Sequence, residues 1–343
     1  MNITFLVGNG FDINLGLKTR YTDFYPYFLA HGQKGIITDD ITENYDCWAD
    51  MECALGKLLS KVSPEQIQSF LDQKASLENC LADYLRNEEK RIDLSSPTIQ
   101  KEFQKNLSEL YTEFSQRDRD NYLFWQKQIA DKIIYQFISF NYTSTLDQII
   151  RPAKLNKQFA THSTSYTSYY DIVGTILHLH GTLSEGLILA LDNEKQIENP
   201  DLQENADLVD YMIKSKINDS LGELKTEVAK KIINGSDYVF IYGMSLGATD
   251  AMWWNYLAVW LNEKNTRRLV LYAYEKPTGN PSGPEKLRQQ DKWKNVFLTA
   301  AGVKKEAWSN LRSRIIVVLQ SKIFDFSGVK LVDKETKTEL VGV

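Results

Sequence analysis

Three cysteines, Cys47, Cys53 and Cys80, are all that the 343 residues carry. The number is odd and no Cys-x-x-Cys pair occurs. That excludes a disulfide framework and a thiolate zinc site, and it points to free thiols in a reducing cytosol. No unbroken apolar run reaches the ~20 residues of a membrane-spanning helix. Met1 to Val7 reads directly as a buried strand, without the basic-then-apolar plan of a leader. These absences set the expectation of a cytoplasmic protein with no membrane contact. A surplus of positive charge is missing too: the net charge is −5, which argues against general nucleic-acid binding.

What remains is the balance of an ordinary globular chain, 43% hydrophobic and 25% charged, with a core rich in Tyr, Phe and Trp. The length allows one large domain or two smaller ones. Ile3 to Val7 is a short apolar strand. From about residue 41 to 132 apolar residues recur at helical spacing, as in "WADMECALGKLLSKV" and "IQSFLDQKASLENCLADYL". Pro64 and Pro97 each follow a serine, a favourable helix start. Strands are expected again at "IIYQFISFNYT", "GTILHLHGTL" and "GLILALD". A helical stretch from Leu202 to Ile233 is expected to end at Asn234-Gly235. "DYVFIYGMS" and "RRLVLYAYE" read as buried parallel strands, with the helix "TDAMWWNYLAVWLNE" between them, capped by Thr249 or Asp250. "EKPTGNPSGPEK" reads as a loop, "SRIIVVLQS" as a last core strand and "VKLVDKETKTELVGV" as a terminal hairpin.

Strands alternating with helices imply an α/β fold, a mostly parallel sheet flanked by helices. Its domain is expected over 1–40 and 133–343, with 41–132 as a helical insertion after the first strand-helix unit.

Gly8-Asn9-Gly10 follows the first strand. A glycine turn between strand and helix can hold a phosphate on free backbone N–H groups. The dinucleotide fingerprint fails at Ile13, where a third glycine is needed, and the P-loop spacing fails as well. A plain tight turn stays open beside an anion site. Other segments end in the same manner. Asn141 closes one strand, His180-Gly181 another, and Gly243, Ser245 and Asp250 lie at a third strand-to-helix junction. In a parallel sheet these carboxyl ends share one edge, where ligands bind.

These stretches resemble the sirtuin-like NAD-binding proteins. "GNGFDINLGLKTRY" keeps Gly8, Gly10 and Gly16 in register with that family's opening. Asn141 in "FNYT" fits its strand-end Asn, His180-Gly181 its catalytic His, and "GMSL" at Gly243 to Leu246 its Gly-Thr-Ser-Leu. More narrowly, "LVGNGFDINLGLKTRYTDF", "CWADMEC", "FISFNYT", "HLHG" and "YGMSLGATD" together resemble the AbiH family of bacterial antiphage abortive-infection proteins. The four-cysteine zinc module of sirtuin deacylases is absent, so deacylation is not implied. Thr143 stands where a second acid would be, Asn9 replaces a small residue, and Thr19, Arg20 and Tyr21 loosely echo a Phe-Arg element.

The resemblance implies a Rossmann-like, sirtuin-like fold and NAD as substrate, cleaved at the nicotinamide–ribose bond. It assigns His180 the base role, suited by a pKa near neutrality, and gives Asn141 the task of orienting water or a ribose hydroxyl. Gly8, Asn9 and Gly10 would approach the pyrophosphate, and Phe11 or Tyr21 would wall the nicotinamide, beside Thr19. Gly243 and Ser245 would meet the adenosine half, and Asp12 and Asp250 the ribose hydroxyls. Such an activity implies a resting state held by a protein partner, a homo-oligomer or a phage-derived trigger. A non-catalytic NAD or ADP-ribose sensor and an ADP-ribosyl transferase are the alternatives.

His178 and His180, two apart, would share a strand face, but no third ligand is evident and no metal site is read here. His178 reads as structural, and His31 and His162 as loop residues. Trp48, Asp50 and Glu52 read as a packed tryptophan with solvated acids; the alternative sends Asp50 or Glu52 into the cleft.

Overall fold

A computed structural model describes residues 1–150, 158–275, 282–327 and 329–331. Its frame is a seven-stranded sheet of β1 (Asn2–Val7), β2 (Ile134–Ser139), β3 (Gln158–Ser163), β4 (Ser168–His178), β5 (Tyr238–Tyr242), β6 (Arg268–Ala273) and β7 (Ile315–Leu319). They stand in the order β7-β6-β5-β1-β2-β4-β3. Every neighbouring pair is parallel except β3 with β4, the antiparallel edge.

Between β1 and β2 run α1 (Gly10–Asn14), α2 (Tyr21–His31), α3 (Ile36–Glu43), α4 (Met51–Leu58), α5 (Ile67–Glu89), α6 (Pro97–Ser108) and α7 (Gln116–Gln128). After β2 come α8 (Thr145–Ile150), α9 (Ala206–Met212), α10 (Lys214–Ser220), α11 (Lys225–Asn234), α12 (Ala251–Glu263) and α13 (Gly283–Ala300).

β1, β5, β6 and β7 are mostly apolar because both sheet faces are covered there, whereas β3 and the start of β4, at the edge, carry polar residues. Phe5 stacks between Phe137 and Phe240 on one face, under Ile99, Phe103 and Leu107 of α6 and Tyr122 of α7. Leu6, Ile138, Val239 and Ile241 point to the other face and pack with Ile233 of α11, Trp254 and Leu257 of α12, and Phe297 of α13. A third cluster joins α2 to α5 with the segment carrying α9: Phe24, Phe28, Ile37, Trp48 and Leu55 pack with Leu191, Leu208 and Met212. The helical layer thus runs without a break across residue 41, while α6 and α7 leave it to cover the sheet.

Several expectations change. "GLILALD" holds only the two-residue strand Gly186–Leu187; Leu189 and Leu191 bury their side chains in the helical cluster instead of joining the main sheet. The stretch from Leu202 is cut into α9, α10 and α11, with Ile213 extended between the first two. The expected terminal hairpin lies mostly outside the described residues; Lys330–Leu331 pairs with Ile92–Asp93 instead. Part of "EKPTGNPSGPEK" also lies outside them, and Gly283 already opens α13. His162 sits in β3, not in a loop, and its buried Nδ1 lies 2.8 Å from Asp171 Oδ1. His31 closes α2.

Candidate functional site

The sheet fixes where a site can be. β1 has β2 on one side and β5 on the other, so the strand order reverses beside β1 and a crevice opens beyond its carboxyl end. The segments following β1, β2, β4 and β5 all line this crevice, with Tyr21, Asp50, Glu52, Leu81 and Leu85 of the helical layer opposite. The cleft opens to solvent and has a cavity volume of about 200 Å³, below the ~300–1,000 Å³ of drug-sized sites.

The opening glycines serve a backbone contact. Gly8 N–H donates to Tyr242 O at 2.9 Å, and Gly10 N–H to Gly243 O at 2.7 Å. A Cβ on Gly10 would lie 2.4 Å from Gly243 Cα, and Gly243 itself has φ +67°. The N–H groups of Gly8 and Gly10 are therefore already bonded. Gly8 and Gly243 line the cleft; Gly10 does not. This corrects the expectation that Gly10 meets a pyrophosphate. Phe11 is corrected too. It is fully buried, packed edge-on near Tyr242 and Phe324, because the first turn of α1 aims it into the core. Tyr21, at the start of α2, lines the cleft.

Asn9 and Thr19 clasp each other. Thr19 Oγ1 donates to Asn9 Oδ1 at 2.6 Å, and Asn9 Nδ2 donates to Thr19 O at 2.9 Å. An alanine at position 9 would leave this loop untied. Asp12 is 1% exposed. Its carboxylate accepts from Thr143 Oγ1 at 2.6 Å and Thr145 Oγ1 at 2.5 Å. Burial outweighs those hydroxyls and raises its pKa from 3.8 to about 6. Thr143, read as the place of a missing acid, instead serves the acid on α1. Asn141 Nδ2 donates to Gly8 O at 3.1 Å, joining the tips of β1 and β2, and the residue lines the cleft.

The two histidines part company. β4 ends at His178, whose Nδ1 lies 3.1 Å from Asn141 O and Nε2 2.8 Å from Asp147 Oδ2. Burial opposes its protonation, yet Asp147 outweighs burial and raises its pKa. His180, past the strand end, stands edge-on to Phe140 with ring centroids 5.3 Å apart. Its Nε2 is 3.6 Å from Asp250 Oδ1, beyond hydrogen-bond reach. Burial, and then the charge of Lys214, lower its pKa to about 3, so the ring is neutral at physiological pH. The expectation that this imidazole titrates near neutrality does not hold in this setting.

Lys214 has no precedent in the sequence reading. It opens α10, is 9% exposed, and donates to Glu52 Oε2 at 3.0 Å, Thr249 O at 3.0 Å and Asp250 Oδ1 at 3.3 Å. Burial disfavours its ammonium, but Glu52 and Asp250 outweigh that and hold its pKa above the ordinary lysine range. Glu52 is 6% exposed; burial raises its pKa to about 7, against the pull of Lys214 and with the push of Asp250. Glu52 is therefore not a solvated acid, whereas Trp48 is packed as expected. Asp50 caps α4 by accepting from Cys53 N–H at 3.0 Å and also lines the cleft. Asp250 makes no side-chain cap on α12; its charge goes to Lys214. Ser245 is exposed at the margin of the cleft.

The site thus brings Asn9, Asp12, Thr19, Tyr21, Asn141, His180, Gly243, Ser245 and Asp250 to one cleft and adds Glu52, with Lys214 behind it. It can hold a polar small molecule against hydrogen-bonding groups, and its buried carboxyls can exchange protons near neutral pH. Among the described residues, no group of His, Cys, Asp and Glu is arranged to hold a metal ion, and no helix is long and apolar enough to cross a membrane.

A family model described as bacteriophage abortive infection AbiH matches residues 4–272. No curated protein matches the chain.

Proposed function

The chain belongs to the AbiH family of bacteriophage abortive-infection proteins, and from that premise we propose that its cleft binds NAD and hydrolyses the bond between nicotinamide and ribose. The observation that carries this reading is the convergence of four strand tips and a buried group of ionisable residues on one crevice at the strand-order reversal. A dinucleotide laid along that edge has its phosphates near Asn9 and Gly243, its adenosine half toward Ser245 and its nicotinamide beside Tyr21. Asp12, Thr19 and Asp250 offer partners to its hydroxyl groups.

The C1′–N bond breaks with its electron pair going to the ring nitrogen. A positive pyridinium becomes neutral nicotinamide, and the ribose gains oxocarbenium character. Water adds to C1′ and loses one proton, giving ADP-ribose. The leaving group needs no acid; the enzyme supplies position and a fixed negative charge. Asn141 orients the water or a ribose hydroxyl. His180, kept neutral, accepts a hydrogen bond from that hydroxyl. Glu52 and Asp250 face the positive charge, and a carboxylate takes the proton more readily than an imidazole whose pKa is about 3.

That same low pKa favours a second reading, a sensor that binds NAD or ADP-ribose without turning it over. One assay separates the two. Purified protein is incubated with NAD while nicotinamide and ADP-ribose are followed, beside His180→Ala and Asn141→Ala. Equimolar release by the wild type, reduced ~10²-fold or more in the variants through lost positioning, supports hydrolysis. Tight binding with no release supports the sensor, and label carried onto protein supports a transferase.

A further inference from the structure

We propose that the wall of the cleft formed by Asp50, Glu52, Asp250, Tyr21, Tyr142 and His180 is a subsite for a planar organic cation. In the reading above, which this inference rests on and refines, it takes the pyridinium ring of the oxidised dinucleotide and rejects uncharged rings.

The first observation is charge. Asp12, Asp50, Glu52 and Asp250 line the cleft, and among the described residues no lysine or arginine does. Lys214 stands behind the wall and meets two of these acids, while Asp192 adds its negative charge near it. One ammonium does not offset this many carboxylates. Glu52 faces Lys214 from α10, Asp250 from the segment before α12, Asp50 from its own helix cap, and Tyr21 and Tyr142 from α2 and the tip of β2. A bound cation relieves the repulsion that Asp250 and Asp50 impose on Glu52.

The second observation is an unpartnered group. His180 is 8% exposed, lines the cleft, and neither ring nitrogen makes a hydrogen bond to the described residues. A buried imidazole in that position wants a partner from the ligand. The third is composition: Tyr21, Phe140, Tyr142 and the imidazole line this wall, and aromatic rings attract a cation through their quadrupoles. Phosphate chemistry is repelled here, so the diphosphate belongs toward Asn9 and Gly243.

The test uses the full chain with two probes of nearly equal shape, the 1-methylnicotinamide cation and neutral nicotinamide, titrated by calorimetry. At pH 8 the cation is expected to bind at least ten times more tightly. Its affinity falls at least fivefold at pH 5.5, where Glu52 and Asp12 take up protons, while nicotinamide's hardly changes. Glu52→Gln is expected to reproduce the low-pH behaviour at pH 8; should that variant fail to fold, the wild-type pH series decides alone. Equal affinities, tighter binding of nicotinamide, a pH-independent preference, or no cation binding at millimolar concentration would overturn the proposal. Because neither probe is cleaved, a cation preference without NAD turnover defeats the hydrolase reading only, and turnover without the preference defeats this inference only.

Discussion

Lys214 Nζ lies 3.0 Å from Glu52 Oε2, a buried ion pair between residues 162 positions apart. The ammonium has three hydrogens, and Glu52, Thr249 O and Asp250 accept them. One side chain therefore ties α4, α10 and the segment after β5 around the cleft.

Removing that cation leaves two mostly buried carboxylates without their shared partner. Lys214→Met is expected to lower the unfolding free energy by ~3–5 kcal/mol, as for other broken buried pairs. Lys214→Met combined with Glu52→Leu is expected to lose less than Lys214→Met alone, because only Asp250 is left unpaired. Urea unfolding of the two single variants and the double variant measures the coupling. Additive losses would show that the pair is not energetically linked.

Asp12 sets a pH dependence whose sign follows from its raised pKa. The protonated acid is favoured in the folded state, so its contribution is whole below about pH 3.8 and is lost as pH rises through about 6. Asp12→Asn lacks that loss. Relative to wild type, its unfolding free energy is expected to improve by ~2 kcal/mol between pH 4 and pH 8. Denaturant midpoints at the two pH values check this, and an unchanged difference would contradict it.

The glycine contact between the tips of β1 and β5 leaves no room for a methyl group. Gly10→Ala, whose Cβ would come within 2.4 Å of backbone at Gly243, is expected to cost ~3 kcal/mol. Gly283→Ala, with nothing within 4 Å of its Cβ, is expected to stay within ~0.5 kcal/mol. Thermal unfolding of both variants gives the comparison, and equal midpoints would remove the steric account.

The sequence made some of this visible and hid the rest for physical reasons. Strands buried on both faces write themselves as apolar runs, so β1, β5, β6 and β7 could be read directly, and the strand-end residues Asn9, Asn141, His180 and Ser245 followed from the parallel topology. Lys214 lies in "MIKSKIND", which looks like any solvated helix start. Its partners at 52 and 250 belong to other layers, and no local pattern encodes such a pairing. Glu52 was weighed as a solvated acid because its helix carries charges elsewhere. Phe11 and Tyr21 are both aromatic and both near the opening turn; only the orientations of α1 and α2 send one into the core and the other to the cleft.

The most direct measurement follows NAD inside cells carrying this chain, during infection by a phage against which it protects. The account predicts that NAD falls while nicotinamide and ADP-ribose rise, and that cells with His180→Ala or Asn141→Ala keep their NAD and lose protection. Protection by the wild-type chain with NAD unchanged through the infection would contradict it.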